Sequence, residues 1–289
     1  MSNIIIKPSF IYPNIPKTAY KFGSNKFPAT ILNETGDWRN FLVPEELQTR
    51  NGIESSACYV EAQQHSIASL QEKLYTELDK NYSARFNALL SDGSPFGGDP
   101  LLAAESIRKN DGLIPDIMMP FSDDISSWDE YHSWKGVNKD ICIATGKDFL
   151  EKWKLNYDIV FERRDTLEYK YNSLREALKY SPCPLSVYGK VDSTGNYEEK
   201  PLGANDTHLL LAVYVDSDNC IWVFDTYAPF LKKLPANYDS DFCMRWSIAK
   251  ITKEEVKKKS LWHRFVQWFL KEKLIYREFK IFNILNKKR

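Results

Sequence analysis

Cys58 is the residue of this sequence best placed for nucleophilic chemistry, because it stands where a helix is expected to begin. Ser55 and Ser56 are favoured N-cap residues, and the run that follows carries apolar residues at helical spacing, which predicts a helix from Ser56 to about Leu78. A thiol in the first turn faces the positive end of the helix dipole, which favours the thiolate. Position alone leaves two roles open for Cys58, a reactive nucleophile or a structural residue, since most free cysteines behave as small buried apolar groups.

Four histidines are available as a base for such a nucleophile. His65 follows Cys58 by seven residues, which on a helix is two turns and about 10 Å of rise, so it cannot be the partner. His132 lies in a polar stretch and His263 in a basic one, where a solvated or interface histidine is the ordinary role. His208 directly precedes an apolar, strand-like run and is therefore the candidate base.

A carboxylate is expected beside His208 because of a predicted β-hairpin. Residues 216–219 form a polar turn between two strand-like runs. A hairpin that is symmetric about this turn puts Asp225 opposite Leu210, one diagonal step from His208. Diagonal neighbours lie about 7–8 Å apart at the backbone, so a carboxylate can reach an imidazole across that step. The pattern thus predicts a His–Asp pair.

The composition favours an ordinary soluble protein without a metal or a cofactor. Hydrophobic residues make up 43% of the chain and charged residues 27%. The five cysteines are odd in number, far apart and without a C-x-x-C pair, which argues against a zinc site or a disulfide framework and favours a reducing compartment. No signal-peptide core and no transmembrane segment is found. We expect a protein that is cytoplasmic or packaged in a particle such as a virion.

The charge divides the chain into segments. Residues 251–289 contain twelve Lys or Arg and four Glu, whereas residues 1–250 contain 27 basic and 35 acidic residues. We predict an extended arm over residues 1–27, a folded domain over 28–250, and a basic amphipathic helical extension over 251–289. The extension either packs on the acidic domain or docks onto a larger particle or an anionic surface such as a membrane or nucleic acid.

Several shorter elements are predicted as well. A helix is expected at residues 101–109, and a capping box at 173–176 opens a short helix that ends at Tyr180. Residues 122–170 are polar and aromatic and give no clear pattern.

Ordered landmarks over residues 27–250 resemble papain-like cysteine peptidases. The family has an Asp-Trp-Arg ahead of its nucleophilic cysteine, a Gly-Gly segment that pairs with bound peptide, a Pro-Val-Ser-Val strand, a His-Ala-Val strand and an Asn-Ser-Trp. The matching stretches here are Asp37-Trp38-Arg39, Gly97-Gly98, Pro184-Leu185-Ser186-Val187, His208-Leu209-Leu210 and Asp225-Thr226-Tyr227.

This resemblance implies an α+β fold in which a helical half carries Cys58 and an antiparallel β half carries His208 and Asp225, with the active site in the cleft between them. It also implies a cysteine endopeptidase that forms an acyl-enzyme on a peptide or protein substrate, with His208 as base and Asp225 as orienter. Two alternatives are transfer of the acyl group to an amine and a non-catalytic structural or adaptor protein, for example a virion component, that keeps the fold.

The remaining family positions are matched less closely. The family's oxyanion glutamine stands six residues before the nucleophile, where this chain has Gly52. We prefer Asn51 as the source of the amide, and Gln48 is the alternative if the loop is rearranged.

Four residues are predicted to bind substrate or shelter the site. The four are Gly97, Gly98, Tyr59 and Tyr227. Three differences from the family pattern also have consequences. Asp225 replaces a neutral asparagine and should raise the imidazolium pKa. Ser55 replaces a structural cysteine, so the usual disulfide is absent. The segment before the domain is shorter than an inhibitory propeptide, so activity is either uncontrolled by a zymogen step, or the arm or a partner covers the cleft.

Overall fold

The computed structural model of this chain describes residues 4–5, 7–17, 19, 21–23, 30–76 and 81–252. The chain divides into two units, Met1–Ala249 and Lys250–Arg289. Apart from its first residues, the second unit lies outside the described part of the chain. The basic helical extension predicted for residues 251–289 therefore stays a prediction.

Six α-helices occur in the described residues, and five of them come before the first strand of the main sheet. They are α1 (Cys58–Tyr75), α2 (Ala84–Leu90), α3 (Pro100–Glu105), α4 (Trp128–Tyr131), α5 (Lys139–Lys152) and α6 (Leu167–Leu178). A π-helical turn, Ser106–Asn110, continues α3, so the helix predicted at residues 101–109 is confirmed. Helix α1 is the centre of this half, and it packs on α2, α3 and two strands of the sheet.

The described strands form one large sheet and two small ones. They are β1 (Ile4–Ile5), β2 (Thr49–Arg50), β3 (Ile53–Glu54), β4 (Trp153–Glu162), β5 (Cys183–Val187), β6 (Lys190–Val191), β7 (His208–Val215), β8 (Ile221–Phe224), β9 (Leu231–Lys233) and β10 (Phe242–Lys250). The large sheet has the strand order β4-β10-β5-β7-β8-β9, while β1 pairs with β6 and β2 with β3. The predicted α+β architecture, with a helical first half and an antiparallel second half, is confirmed.

Helix α1 starts two residues later than predicted, and the predicted serine cap is wrong. Ala57 occupies the N-cap position and makes no side-chain cap. Ser56 has a positive φ of 55°, and its hydroxyl donates to the carbonyl of Pro95 at 3.0 Å. The hydroxyl of Ser56 thus fixes the loop ahead of Cys58 instead of capping the helix, which begins at Cys58.

Helix α6 also begins elsewhere than predicted. The hydroxyl of Thr166 accepts a hydrogen bond from the backbone N–H of Tyr169 and caps the helix, seven residues before Ser173. Buried residues recur at helical spacing from Lys170 to Leu178, across the predicted start. Because that buried stripe is continuous, the helix extends through the serine. The part of residues 122–170 that precedes α6, which shows no clear pattern in the sequence, contains α4, α5 and the edge strand β4.

The hairpin β7–β8 forms with the predicted register at its far end. Leu211 pairs with Phe224, which places Asp225 one step beyond the ladder beside Leu210. Nearer the turn the pairing is offset by one residue, and a bulge between Ala212 and Tyr214 restores it. The bulge compensates for a turn one residue longer than expected, so the symmetric prediction holds where the site lies.

A buried ion pair joins two neighbouring strands of the large sheet. Arg245 of β10 donates from Nη2 to Oδ2 of Asp158 on β4 at 2.5 Å, and the two side chains are 6% and 1% exposed. The guanidinium also lies over the rings of Phe22 and Tyr180, at 4.8 and 5.2 Å from their centroids.

We expect Arg245→Met to lower the free energy of unfolding by about 3–5 kcal/mol, because the buried carboxylate of Asp158 loses the positive charge of the Arg245 guanidinium. The measurement is urea unfolding followed by circular dichroism. Lys179→Met is the control, since it removes an ion pair with Glu176 whose side chains are 35% and 43% exposed. That change should cost at most about 1 kcal/mol. Equal costs for the two variants would contradict the prediction.

Candidate active site

The start of helix α1 and the start of strand β7 meet at the sulfur of Cys58. The side chain is fully buried. Its Sγ accepts a hydrogen bond from the backbone N–H of Leu209 at 3.4 Å, and Leu209 directly follows His208. The packing of α1 on β7 thus brings Cys58 and His208 together, although they are 150 positions apart in the sequence.

His208 and Asp225 form the predicted pair. Nε2 of His208 donates to Oδ1 of Asp225 at 2.8 Å, and both side chains are buried. The other ring nitrogen, Nδ1, is buried and makes no hydrogen bond of standard geometry among the described residues, but the side chain of Cys58 is near enough to the ring to raise its pKa. The ring of Tyr227 lies 5.5 Å from the imidazole, centroid to centroid, and shields the pair from water. The imidazole is held by one nitrogen, and the other is free for proton transfer.

The charges around His208 favour its protonated form. Burial by itself would lower the pKa of His208, but the negative charges of Cys58 and Asp225 and the hydrogen bond to Asp225 outweigh it and raise the pKa to about 10. Burial would raise the pKa of Asp225, and the charges and hydrogen bonds of His208 and Lys232 lower it below its ordinary value instead. The expected increase in the imidazolium pKa is therefore present.

The carboxylate of Asp225 has two further donors that the sequence did not reveal. Tyr197 donates its hydroxyl to Oδ2 at 2.8 Å, and Nζ of Lys232 donates to the same oxygen at 2.5 Å. The backbone N–H of Thr226 donates to Oδ1 at 2.7 Å. Lys232 is the middle residue of β9, and only the alternation of that strand could have marked it as pointing inward.

Gln48 presents a buried amide at the site. Its Nε2 donates to Glu54 at 2.6 Å and lies 3.4 Å from the hydroxyl of Ser9, and its Oε1 accepts from Thr226 at 2.9 Å. The backbone carbonyl of Gln48 accepts from the N–H of Ser55 at 3.0 Å. This bond closes the base of the hairpin β2–β3, so the hairpin folds outward and Gln48 lies next to the residues that lead into α1.

Asn51, the preferred source of the amide in the sequence analysis, lies elsewhere. It sits in the turn of the hairpin β2–β3, exposed, with a positive φ of 54°. Its side-chain amide donates to the backbone carbonyl of Asp123 at 3.0 Å. The sequence separation from Cys58 did not predict which amide lies near the sulfur, because the hairpin β2–β3 folds back on itself between Gln48 and Ser55. Gln48, and not Asn51, is therefore the candidate source of the amide.

The N-terminal arm lies against the sulfur of Cys58. The hydroxyl of Ser9 is 3.0 Å from Sγ of Cys58, and the thiol also lies 3.4 Å from the carbonyl oxygen of Ser9. Ser9 is fully buried. The backbone N–H groups of Ser9 and Phe10 donate to the carbonyl of Thr207 at 2.8 and 3.0 Å. The described part of the arm therefore covers the sulfur.

The two glycines predicted to bind peptide contact this arm. The carbonyl of Gly98 accepts from the N–H of Ile11 at 3.2 Å, and Phe10 pairs with Gly98 in parallel. Gly97 has a φ of +93°, and a Cβ there would lie 1.8 Å from the carbonyl oxygen of Ser9. Glycine is required at this position because the arm's backbone passes where a side chain would stand.

Tyr59 supports the glycine segment from behind. Its side chain is fully buried, and its hydroxyl lies 3.3 Å from that of Ser91. A Cβ on Gly98 would lie 2.4 Å from the tyrosine ring. The structure thus places Tyr59 under the peptide-pairing segment, while Tyr227 covers the His208–Asp225 pair.

The other described histidines do not take part. Burial lowers the pKa of His65 to about 4, and its ring packs 5.2 Å from that of Phe224. Burial likewise lowers the pKa of His132 to about 4, and it stacks on Trp128 at 3.9 Å. His263 lies outside the described residues.

Among the described residues, no group of three metal-ligating side chains is found, and no helix is both long and apolar enough to cross a membrane. All five cysteines are free.

No family model and no curated protein matches this chain, but solved structures do. Xylellain, a cysteine protease from Xylella fastidiosa, is 16% identical with a TM-score of 0.57, over 87% of this chain and 100% of its own. The bromelain protease from Ananas comosus, in complex with the E64 inhibitor, is 16% identical with a TM-score of 0.51, over 73% and 97%. The Carica candamarcensis cysteine protease CMS1MS2, in complex with E-64, is 15% identical with a TM-score of 0.51, over 73% and 96%. The fold is therefore papain-like.

We expect His208 to be an imidazolium at pH 7 while His65 and His132 are neutral, as their pKa values of about 10, 4 and 4 require. Long-range ¹H–¹⁵N spectra of the labelled protein distinguish these states, with His65→Gln as the assignment control. Because the folded-state pKa of His208 lies above its ordinary value of about 6.5, its contribution to stability is complete below that pH and disappears as the pH rises through about 10. A titration midpoint of His208 near 6.5 in these spectra would contradict the prediction.

Proposed function

We propose that this chain is a cysteine endopeptidase that hydrolyses peptide bonds, with Cys58 as nucleophile, His208 as acid and base, and Asp225 as the residue that orients the imidazole. The observation that carries the proposal is that an extended peptide, the chain's own arm, lies hydrogen-bonded beside the sulfur of Cys58.

The arm supports a peptide substrate because the site contacts it through the main chain. Residues 9–11 donate their backbone N–H groups to the carbonyls of Thr207 and Gly98, on either side of the sulfur. Main-chain hydrogen bonds of this kind recognise an extended peptide whatever its sequence.

In the proposed reaction the Cys58 thiolate attacks the carbonyl carbon of the scissile bond. As the C–N bond breaks, the imidazolium of His208 gives its Nδ1 proton to the departing amine, leaving a thioester on the sulfur. Water then attacks the thioester while the imidazole accepts a proton from it. The acid product leaves, and the thiolate and imidazolium are regenerated.

The oxyanion of each tetrahedral intermediate needs donors, and we assign them to the backbone N–H of Cys58 and the side-chain amide of Gln48. The hydroxyl oxygen of Ser9 supports this assignment. It lies 3.0 Å from the sulfur and 3.4 Å from Nε2 of Gln48, so an oxygen atom fits between nucleophile and amide.

The same contact makes the described state latent. Ser9 fills the space between Gln48 and Cys58, and the sulfur has no exposed surface. A substrate can reach the thiolate only when the arm leaves the cleft. Among the possibilities left by the sequence, we therefore favour an arm that covers the cleft.

We expect Ser9→Trp to activate the protein, because an indole cannot fit the fully buried position of Ser9 and must displace the arm. Two measurements are made on the full chain: the rate of labelling of Cys58 by E-64, followed by peptide mass, and the hydrolysis of fluorescein-labelled casein. Both should rise at least tenfold over wild type. Lys7→Trp, at an exposed arm position, is the matched control and should change neither.

Within the activated protein, adding Cys58→Ala or His208→Ala should lower hydrolysis by about three orders of magnitude or more. Labelling of Cys58 no faster than that of Cys142, and indifferent to His208→Ala, would refute the peptidase and favour the adaptor. A product that gains the mass of an added amine instead of water would indicate acyl transfer.

The assignment of the oxyanion amide has its own test in the Ser9→Trp background. We expect Gln48→Ala to lower kcat by about 10²–10³-fold with little change in KM, because the amide acts on charge that develops only in the transition state. Asn51→Ala should change kcat by less than about twofold, since its amide is engaged with Asp123. The reverse ranking of the two variants would restore Asn51 as the donor.

A further inference from the structure

Lys232 is buried in a strand position that normally holds an apolar side chain. Its neighbour Leu231 is exposed and its neighbour Lys233 half-buried, whereas the side chain of Lys232 is only 1% exposed. In β9 it pairs with Val223, so it points toward the core side of β8. A charged lysine in such a place is costly unless it is paired, and its ammonium contacts Oδ2 of Asp225.

The surroundings of Asp225 hold one positive charge in addition to the imidazole. His208 and the N–H of Thr226 donate to Oδ1, while Tyr197 and Lys232 donate to Oδ2. Each carboxylate oxygen thus has two donors. The lysine ammonium also lies 5.3 Å from the ring centroid of Tyr197. The carboxylate is fixed in position, and its charge is matched by that of Lys232.

We propose that Lys232 is a positioning residue of the active site: paired with Asp225, it makes the group behind His208 electrically neutral and thereby sets the acidity of the imidazolium. An Asp–Lys pair presents a hydrogen-bond acceptor to Nε2 with no net charge, as a neutral amide would. Without Lys232, the uncompensated carboxylate would hold the ring proton more tightly. A weaker acid protonates the departing amine more slowly.

Other titratable groups face His208 from the surrounding elements, and the single variants Lys232→Met and Lys233→Met leave all of them unchanged. They are Cys58 and Glu61 of α1, Glu54 of β3 through Tyr227, Tyr197 from the segment between β6 and β7, and Asp225 and Tyr227 from the segment between β8 and β9. Of these groups, Cys58 and Asp225 raise the pKa of His208. Lys232 acts on Asp225, whose pKa its charge and hydrogen bond lower.

The test is the charge state of His208 at pH 10, read from long-range ¹H–¹⁵N spectra of the full-length protein. Wild type should be about half protonated there, given a pKa of about 10. Lys232→Met should raise the protonated fraction to about nine tenths, a tenfold gain in proton affinity. Lys233→Met is the matched control, because it removes the neighbouring lysine, which pairs with Asp216 instead, and should leave the fraction unchanged.

Replacing both partners, Asp225→Asn with Lys232→Met, restores a neutral acceptor without a buried charge. We expect this double variant to return the protonated fraction to that of wild type or below it, and to fold even if Lys232→Met does not. A fraction in Lys232→Met equal to that of wild type, or a double variant that keeps the high fraction of Lys232→Met, would overturn the proposal.

The kinetic consequence rests on the proposed peptidase function. In the Ser9→Trp background, Lys232→Met should lower kcat about tenfold at pH 7 with KM within about twofold, and the double variant should recover part of the loss. The spectra do not depend on catalysis. If Lys232→Met shifts the charge state of His208 but no variant hydrolyses substrate, the peptidase function is refuted and the role of Lys232 is kept. If the protein hydrolyses substrate but the charge state of His208 does not shift, only the role of Lys232 is refuted.

Discussion

A carboxylate buried away from water must be surrounded by donors, and that requirement at Asp225 organises the antiparallel half of this fold. Four groups meet it: His208 from the start of β7, Tyr197 from the loop before β7, Lys232 from β9 and the N–H of Thr226. Thr226 is the next residue in the chain, whereas His208, Tyr197 and Lys232 come from three other segments, which the carboxylate holds together. The imidazole is oriented because its partner cannot move.

On the other side of the cleft, helix α1 is held in place by polar side chains as well as apolar ones. Gln63 donates to the carbonyl of Pro100 at 2.9 Å, Gln64 to that of Ser83 at 3.0 Å, and Ser66 to that of Pro182 at 2.7 Å. These residues are buried, and their bonds satisfy the carbonyls of loops that pass over the helix. Cys58 thus stands at the start of a helix that three buried side-chain hydrogen bonds anchor to neighbouring loops.

In the proposed peptidase, the N-terminal arm and a substrate compete for the same contacts in the cleft. The contacts that would bind a substrate backbone, the carbonyls of Thr207 and Gly98, are the ones the arm uses, and the hydroxyl of Ser9 takes the space next to the amide of Gln48. Under the proposed function, inhibition by the arm needs no separate surface, because the arm would bind as a peptide substrate does. Its strength depends on a few main-chain bonds and the burial of Phe10, which packs against Phe242 at 6.2 Å between ring centroids.

The sequence by itself determined the central helix and the placement of Cys58, His208 and Asp225, since these follow from local periodicity and from the symmetry of one hairpin. Its resemblance to a known family implied the α+β class and the strand at residues 183–187. The sequence could not place Gln48, because the hairpin β2–β3 closes on itself and brings that amide to Ser55 only in three dimensions. It could not show that Lys232 turns inward, since a lone lysine in a short strand is ordinarily solvated. Nor could it show that Ser9 lies on the sulfur. Those contacts join segments far apart in the chain, and their partners are decided by packing, which no local pattern of residues records.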